Sequence, residues 1–80
     1  MSNQFEALDC MAARLGRREN SAYYYLSTNE RIYVAIAANR IDLLEEDGFT
    51  IAEALDQIGV EWANVLIERW KNRGNPKYYS

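Results

Sequence analysis

Residues 27–48, STNERIYVAIAANRIDLLEEDG, are the stretch that decides the fold of this chain. Ser27 and Glu30 have the S-x-x-E spacing of a capping box, in which each side chain accepts a hydrogen bond from a backbone N–H at the start of a helix. Gly48 stands where a residue with positive φ closes a helix, a conformation that glycine adopts without a steric penalty from Cβ. The stretch therefore predicts one long helix over residues 28–47.

The apolar residues of this predicted helix extend over about half of its circumference. They are Ile32, Tyr33, Val34, Ile36, Ala37, Ile41, Leu43 and Leu44. A helix with so wide an apolar surface has to be covered from more than one direction. We therefore expect it to be the centre of a helical bundle, with enough apolar surface left over to form a homodimer.

Three further helices follow from the same kinds of signal. Apolar residues at helical spacing, with Gly16 after them, predict a helix over residues 3–15. Thr50 and Glu53 repeat the capping-box spacing and open a short helix over residues 51–58. Gly59 ends that helix, and the last one follows over residues 60–72, with a frayed tail at 75–80. The fold class is thus all-α, a single domain 1–80 of about four helices with a helix-turn-helix-like αα corner at its C-terminal end.

The predicted core consists of the large apolar side chains on the inward faces of these helices: Phe5, Leu8, Leu15, Ile32, Ile36, Leu43, Leu55, Ile58, Trp62, Leu66 and Trp70. Residues 21–26, SAYYYL, allow two interpretations. Three consecutive tyrosines suit a strand that forms a hairpin with residues 31–36, but an isolated hairpin is marginally stable and the alanines downstream favour helix. We predict a short helical turn or an extended connector.

The composition excludes several classes of site. The 80 residues include no histidine and a single cysteine, Cys10, which excludes Ser-His and Cys-His nucleophiles and zinc sites built from these residues. An EF-hand with Gly48 at its sixth position would place Leu43 and Ala54 where oxygen ligands are required. We therefore predict no catalytic, metal-binding or cofactor-binding residues, and a protein that is not an enzyme.

Cys10 itself allows two interpretations. It falls on the polar side of the first predicted helix, one turn from Arg14, so it is either a reactive or dimer-forming thiol or a small residue that is tolerated there. One cysteine cannot form an intramolecular disulfide. The first ten residues also lack the basic and apolar regions of a signal peptide, and no apolar run approaches the roughly 20 residues of a membrane span. We expect the protein in the cytoplasm.

The charges are strongly segregated along the chain. The net charge is −3, yet residues 41–68 carry eight acidic residues and no basic one, and residues 69–77 carry four basic ones. Charge of one sign steers a partner of the opposite sign. The sequence therefore predicts that the acidic segment binds a protein with a basic surface.

The candidate contact residues are the acids of this segment, two tyrosines that offer rigid contact area, and one arginine: Asp42, Glu45, Glu46, Asp47, Glu53, Asp56, Glu61, Tyr23, Tyr24 and Arg40. Arg40 falls on the apolar flank of the predicted long helix, where an unpaired charge is costly. It therefore either pairs with an acid from a neighbouring helix or contacts the partner.

Two functions remain compatible with these observations. The first is a small acidic adaptor, inhibitor or antitoxin-like regulator, a type of protein frequent in phage and plasmid genomes. The second is a helix-turn-helix DNA-binding regulator, because residues 50–70 match the outline of that motif. Its second helix would present Glu61, Asn64 and Glu68 outward, and a pI near 4.8 disfavours contact with phosphates.

Overall fold

The computed structural model describes residues 4–73, which form four α-helices and one short 3-10 turn. Helix α1 comprises Gln4–Gly16, the tyrosine turn comprises Tyr23–Tyr25, α2 comprises Thr28–Ala37, α3 comprises Ile41–Glu46 and α4 comprises Ile51–Arg73. Residues 4–73 contain no strand, so the all-α class is confirmed and residues 23–25 are a helical turn. The predicted tail 75–80, and residue 3 of the first predicted helix, lie outside the described residues.

Residues 28–47, predicted as one helix, form two. Asn39 adopts the left-handed conformation with φ 56°, its N–H donates to the Ile36 carbonyl at 3.0 Å, and the Arg40 N–H donates to the Ala35 carbonyl at 2.7 Å. This pair of hydrogen bonds is the Schellman motif that closes many helices. Asparagine tolerates the left-handed conformation better than most residues because its side chain is short and polar. The prediction of a continuous helix was wrong at this point.

The same motif closes α1 and α3. Gly48 has φ 86°, and Phe49 N–H donates to the Leu44 carbonyl at 3.0 Å, so its predicted role as a helix terminator is confirmed. In α1 the left-handed residue is Arg18, with φ 67°, and Glu19 N–H donates to the Arg14 carbonyl at 2.9 Å. Gly16, predicted to stop this helix, is instead its last helical residue.

Both predicted capping boxes are present. Glu30 N–H donates to Ser27 Oγ at 3.3 Å and Ser27 N–H to Glu30 Oε1 at 3.0 Å. Thr50 and Glu53 exchange the equivalent bonds at 3.0 and 3.1 Å. These local hydrogen bonds satisfy backbone N–H groups that have no partner within the helix, and they fix where α2 and α4 begin.

Helix α4 is interrupted at Gly59, which has φ 85° and ψ 167°. Only glycine adopts this backbone region readily, so the predicted break between residues 58 and 60 is confirmed. A helix-turn-helix uses a turn of three or four residues between its helices, whereas here a single residue is non-helical. Residues 51–73 are therefore two helical segments that meet at a kink.

Helix α2 is the centre of the described structure and contacts α1, α3, α4 and the tyrosine turn. Four consecutive residues, Ile32 to Ala35, are buried because neighbours cover the helix from every side. The other buried apolar residues are Leu8, Ala12, Leu15, Tyr23, Leu43, Leu44, Ala54, Ile58 and Leu66. Phe5, Ile36 and Trp62, predicted as core, are partly buried and pack against it.

Two residues predicted as core were assigned wrongly. Leu55 is 38% exposed and Trp70 is 63% exposed. In the two segments of α4 the inward positions belong to Ala54, Ile58 and Leu66, and the side chains of Leu55 and Trp70 lie outside the buried face. Among the described residues, no helix combines the length and the apolar character needed to cross a bilayer.

Candidate functional site

The tyrosine turn packs against the C-terminal end of α3. The Tyr23 hydroxyl donates to Asp47 Oδ2 at 2.9 Å and the Tyr24 hydroxyl donates to Glu46 Oε1 at 3.4 Å. The rings of Tyr23 and Tyr24 meet edge to face, with centroids 5.2 Å apart, a preferred geometry for aromatic pairs. The fold therefore brings together two groups of predicted contact residues that are more than twenty positions apart in sequence.

The Asp47 carboxylate interacts with other side chains of the same chain. Besides accepting from Tyr23, its Oδ1 lies 3.5 Å from Arg31 Nη1. The guanidinium of Arg31 also lies 5.9 Å from the centroid of the Tyr23 ring, within the range of a cation–π contact. These three side chains fix the tyrosine turn to α2 and to the end of α3, so Tyr23 and Asp47 hold the site together rather than face a partner.

Both hydrogen-bonded phenols are poor acids in this environment. Burial raises the pKa of Tyr23 well above its usual value, and the Asp47 carboxylate beside the hydroxyl raises it further. The neighbouring Glu46 carboxylate raises the pKa of Tyr24 in the same direction. Both hydroxyls therefore remain hydrogen-bond donors at neutral pH.

The raised pKa of Tyr23 predicts a loss of stability in alkaline solution. A group whose pKa is higher in the folded state than in the unfolded state contributes stability that is complete below the unfolded pKa, about 10 for tyrosine, and that is lost as the pH rises beyond it. We expect the free energy of unfolding by urea to fall more steeply above about pH 10 in the wild type than in Tyr23→Phe. Circular dichroism across a pH series measures this difference.

Tyr25→Phe is the control, because the Tyr25 side chain is 91% exposed and folding changes its surroundings little. Its pH profile should follow that of the wild type. If the Tyr23→Phe profile also coincides with the wild type above about pH 10, burial of the Tyr23 phenol is not the cause of the alkaline loss.

The outer side of the packed tyrosine turn is an exposed surface, which we call the tyrosine–carboxylate patch and define by its members: Tyr24, Tyr25, Asp42, Glu45 and Glu46. Tyr24 is 52% exposed and Tyr25 is 91% exposed. The three acids lie within one turn of α3, where residues three or four positions apart are neighbours. The patch therefore combines rigid aromatic surface with several carboxylates.

Arg40 lies buried at the break between α2 and α3, and it is 7% exposed. Its Nε and Nη2 donate to the two carboxylate oxygens of Asp42 at 3.0 and 2.9 Å, while Nη1 donates to the Leu15 carbonyl at 2.9 Å and to Asn20 Oδ1 at 3.0 Å. The expected pairing is present, but the acid is Asp42, two residues further along, and not one from a neighbouring helix. Because its donors are engaged within the chain, Arg40 is left out of the patch.

The pairing also affects Asp42. The hydrogen bonds from the Arg40 guanidinium lower the pKa of the Asp42 carboxyl below its usual value. The side chain of Asp42 is nevertheless 55% exposed, so it stays charged and accessible at the edge of the patch.

The remaining predicted contact residues lie on α4. Glu53 belongs to the capping box, and its hydrogen bonds with Thr50 lower the pKa of its carboxyl. Asp56 and Glu61 are exposed. None of the hydrogen bonds or ion pairs found within residues 4–73 joins these three acids to the patch, so the acidic segment is divided between two elements.

Sequence reasoning did not select Tyr25 or Arg31. The signal for Tyr25 was present, because three adjacent tyrosines cannot all point inward from one turn. Arg31 carried no such signal, since its role depends on Asp47 and Tyr23 meeting in three dimensions. Cys10, the free thiol, is exposed.

A cleft lies between α1, the end of α2 and α4. It has a volume of about 460 Å³ and is lined by Asp9, Ala12, Ala13, Gly16, Ala37, Ala38 and Trp70. Asp9 is the one ionisable residue among them, and its carboxylate accepts a hydrogen bond from the Tyr33 hydroxyl and pairs with Arg69. The cleft thus presents apolar surface, and within residues 4–73 no cluster of three or more potential metal ligands occurs.

The tyrosine–carboxylate patch is therefore the candidate functional site. Its polar and aromatic side chains are exposed, Tyr24 and Glu46 are hydrogen-bonded to each other, and the partly buried Tyr23–Asp47 hydrogen bond and Arg31–Asp47 ion pair hold the tyrosine turn in place. Comparisons of the chain with protein-family models, with curated proteins and with solved structures find no match.

Proposed function

We propose that this protein is a small non-enzymatic interaction module of the cytoplasm, which binds an arginine-rich segment of another protein through the tyrosine–carboxylate patch. One observation carries the proposal: Tyr24 and Glu46 are exposed and hydrogen-bonded to each other, beside the almost fully exposed Tyr25. An adaptor, an inhibitor and an antitoxin-like regulator are all proteins that would act in this way.

The chemistry of the patch suits arginine in particular. A guanidinium is planar, donates two parallel hydrogen bonds to a carboxylate and stacks on aromatic rings. Glu45 and Glu46 supply carboxylates, and the faces of Tyr24 and Tyr25 supply the aromatic surface. A lysine ammonium is a strongly hydrated point charge that uses only part of this arrangement.

The site is ordered before a partner arrives. Tyr23 is buried and bonded to Asp47, and Arg31 covers its ring. The tyrosine turn therefore keeps its conformation without a partner, and tyrosine side chains lose little conformational entropy when they form a contact. A preorganised surface binds more tightly than one that has to be ordered on binding.

Nothing in the patch favours the DNA-binding alternative, because carboxylates repel phosphates. The second segment of α4, which would be the recognition helix, has Glu61 and Glu68 exposed together with Lys71. Binding to a DNA duplex is therefore measured as the result that would favour the alternative function.

The test uses a fluorescent peptide of alternating arginine and glycine, and its lysine counterpart, in anisotropy titrations. We expect the arginine peptide to bind more tightly than the lysine peptide, and binding to weaken as salt screens the charges. The triple variant Tyr25→Ser, Glu45→Gln, Glu46→Gln should bind the arginine peptide about tenfold or more weakly than the wild type. This decrease is the sum of one lost cation–π contact and two lost exposed ion pairs.

The control for charge is the double variant Asp56→Asn, Glu61→Gln, which also removes two negative charges, but from α4. It should retain affinity within about threefold of the wild type, because these exposed acids contribute only to the general field. Equal losses in both variants would show that net charge alone attracts the peptide. Tighter binding of a nonspecific DNA duplex than of the arginine peptide would favour the helix-turn-helix alternative.

A further inference from the structure

Two tyrosine–carboxylate hydrogen bonds lie side by side where the tyrosine turn meets the end of α3. Tyr23 donates to Asp47 at 2.9 Å, and the next residue, Tyr24, donates to the preceding acid, Glu46, at 3.4 Å. The two segments therefore pass each other in opposite directions, and consecutive tyrosines meet consecutive acids. The same arrangement, a phenol ring whose hydroxyl is bonded to a carboxylate, thus occurs twice.

The first of these two pairs holds an arginine of the chain itself. The guanidinium of Arg31 lies 5.9 Å from the centroid of the Tyr23 ring, and its Nη1 lies 3.5 Å from Asp47 Oδ1. The Tyr23 hydroxyl donates to the other carboxylate oxygen, Oδ2. The buried Nε of Arg31 has no hydrogen-bond partner within residues 4–73. The guanidinium is therefore placed by the ring and by a single carboxylate oxygen.

The second pair has the same two components, and both are exposed. Tyr24 is 52% exposed, and Glu46 is exposed at the end of α3. The Tyr24 hydroxyl donates to Glu46 Oε1. None of the ion pairs found within residues 4–73 involves Glu46, and the donors of Arg40 are engaged by other groups. The second pair thus offers a guanidinium from outside the chain what the first pair offers to Arg31.

We propose that the Tyr24–Glu46 pair binds one arginine of the partner in the geometry that Arg31 adopts on the neighbouring pair. The guanidinium then lies over the Tyr24 ring and donates one terminal N–H to Glu46 Oε2, while the Tyr24 hydroxyl stays on Oε1. This assignment rests on the proposed function and names the two residues of the patch that determine its specificity.

The proposed contact requires a positive charge, a flat face and one terminal N–H of the guanidinium. The charge provides attraction to the ring and to the carboxylate. The Tyr24 hydroxyl holds the carboxylate in position before the arginine arrives, which lowers the entropy cost of binding. Contact through one carboxylate oxygen differs from the bidentate mode, which methylation of the guanidinium blocks although the charge is kept.

Protein variants test which residues bind the guanidinium, with the fluorescent arginine–glycine peptide as the probe. Glu46→Gln should raise the dissociation constant about fivefold, whereas the control Glu45→Gln should raise it no more than about twofold. The control removes the same charge from the adjacent exposed residue. Tyr24→Leu should raise the dissociation constant about threefold, because it removes the ring and keeps apolar bulk against Tyr23. Circular dichroism should show unchanged helix content in all three variants.

Peptide variants test the geometry of the contact. A peptide with citrulline in place of arginine keeps the planar group and its N–H but has no charge, so it should bind about tenfold or more weakly. A peptide with asymmetrically dimethylated arginine keeps the charge and one unmodified terminal nitrogen, so it should bind within about threefold of the unmodified peptide. A tenfold loss on dimethylation would mean a bidentate contact and would contradict the proposed geometry.

The outcomes separate this assignment from the proposed function. If the arginine peptide binds no more tightly than the lysine peptide, the proposed function fails and the assignment fails with it. If the arginine peptide is preferred but Glu45→Gln weakens it as much as Glu46→Gln does, or Tyr24→Leu has no effect, the proposed function stands and the assignment to the Tyr24–Glu46 pair is wrong.

Discussion

Replacing Arg40 with methionine is expected to lower the midpoint of thermal unfolding by about 10 °C or more. Methionine keeps the length of the aliphatic side chain and removes every hydrogen bond that the guanidinium donates. Those bonds connect three separate segments, the Leu15 carbonyl at the end of α1, Asn20 in the following loop, and Asp42 in the first turn of α3.

The expected fall in the unfolding midpoint depends on what each hydrogen-bond partner of Arg40 does when the guanidinium is removed. Asp42 is half exposed and can be solvated by water when Arg40 is absent, and the Leu15 carbonyl keeps its bond from Arg18 N–H. The loss therefore comes from removing charge-assisted hydrogen bonds at a buried position, each of which is stronger than a neutral one, and from releasing the three segments from one another.

Arg17→Met is the matched control for this experiment. Arg17 pairs with Glu19 at 3.0 Å, but the two side chains are 63% and 55% exposed, and exposed ion pairs contribute little to stability. Its unfolding midpoint should remain within about 2 °C of the wild type. If Arg40→Met shifts the midpoint no more than this control, the guanidinium does not hold the three segments together.

Replacing Gly59 with alanine is expected to lower the free energy of unfolding by about 1–3 kcal/mol, the usual cost of a side chain in this part of conformational space. The φ and ψ of Gly59 are 85° and 167°. A Cβ added there would meet no atom within 4 Å, so backbone strain, and not a clash with neighbours, is the cause. Urea denaturation followed by circular dichroism measures the change.

Gly16→Ala is the control in the same chain. Gly16 is helical, and a Cβ added to it also has free space. Alanine in a helix is more favourable than glycine by roughly 0.5–1 kcal/mol, so this variant should be more stable than the wild type. Stabilisation by both changes would mean that residue 59 adopts ordinary helical angles and that α4 is not kinked there.

The candidate site could be predicted from the sequence only in part. Tyr24, Glu45 and Glu46 were chosen because of residue type and charge, and the structure places them in one exposed patch. Tyr23 and Asp47 were chosen for the same reasons, yet they are used internally, because a hydroxyl and a carboxylate far apart in sequence meet when the turn packs on α3. Burial depends on such contacts, and residue type does not reveal it.

The sequence by itself determined where helices begin and which class of fold results. Ser27 with Glu30, and Thr50 with Glu53, exchange hydrogen bonds over three residues, so residue type and spacing are enough to identify each helix start. Gly48 and Gly59 end or interrupt helices for an equally local reason, since each takes a φ that other residues avoid.

Only the tertiary structure decided that residues 28–47 form two helices. Local propensity favours one helix there, and it would leave Arg40 on an apolar flank. The left-handed turn at Asn39 instead directs Arg40 to the end of α1, where Leu15, Asn20 and Asp42 satisfy its donors. The partners of a buried charge come from distant parts of the chain, and the cost of leaving it unpaired exceeds the small local preference for a continuous helix.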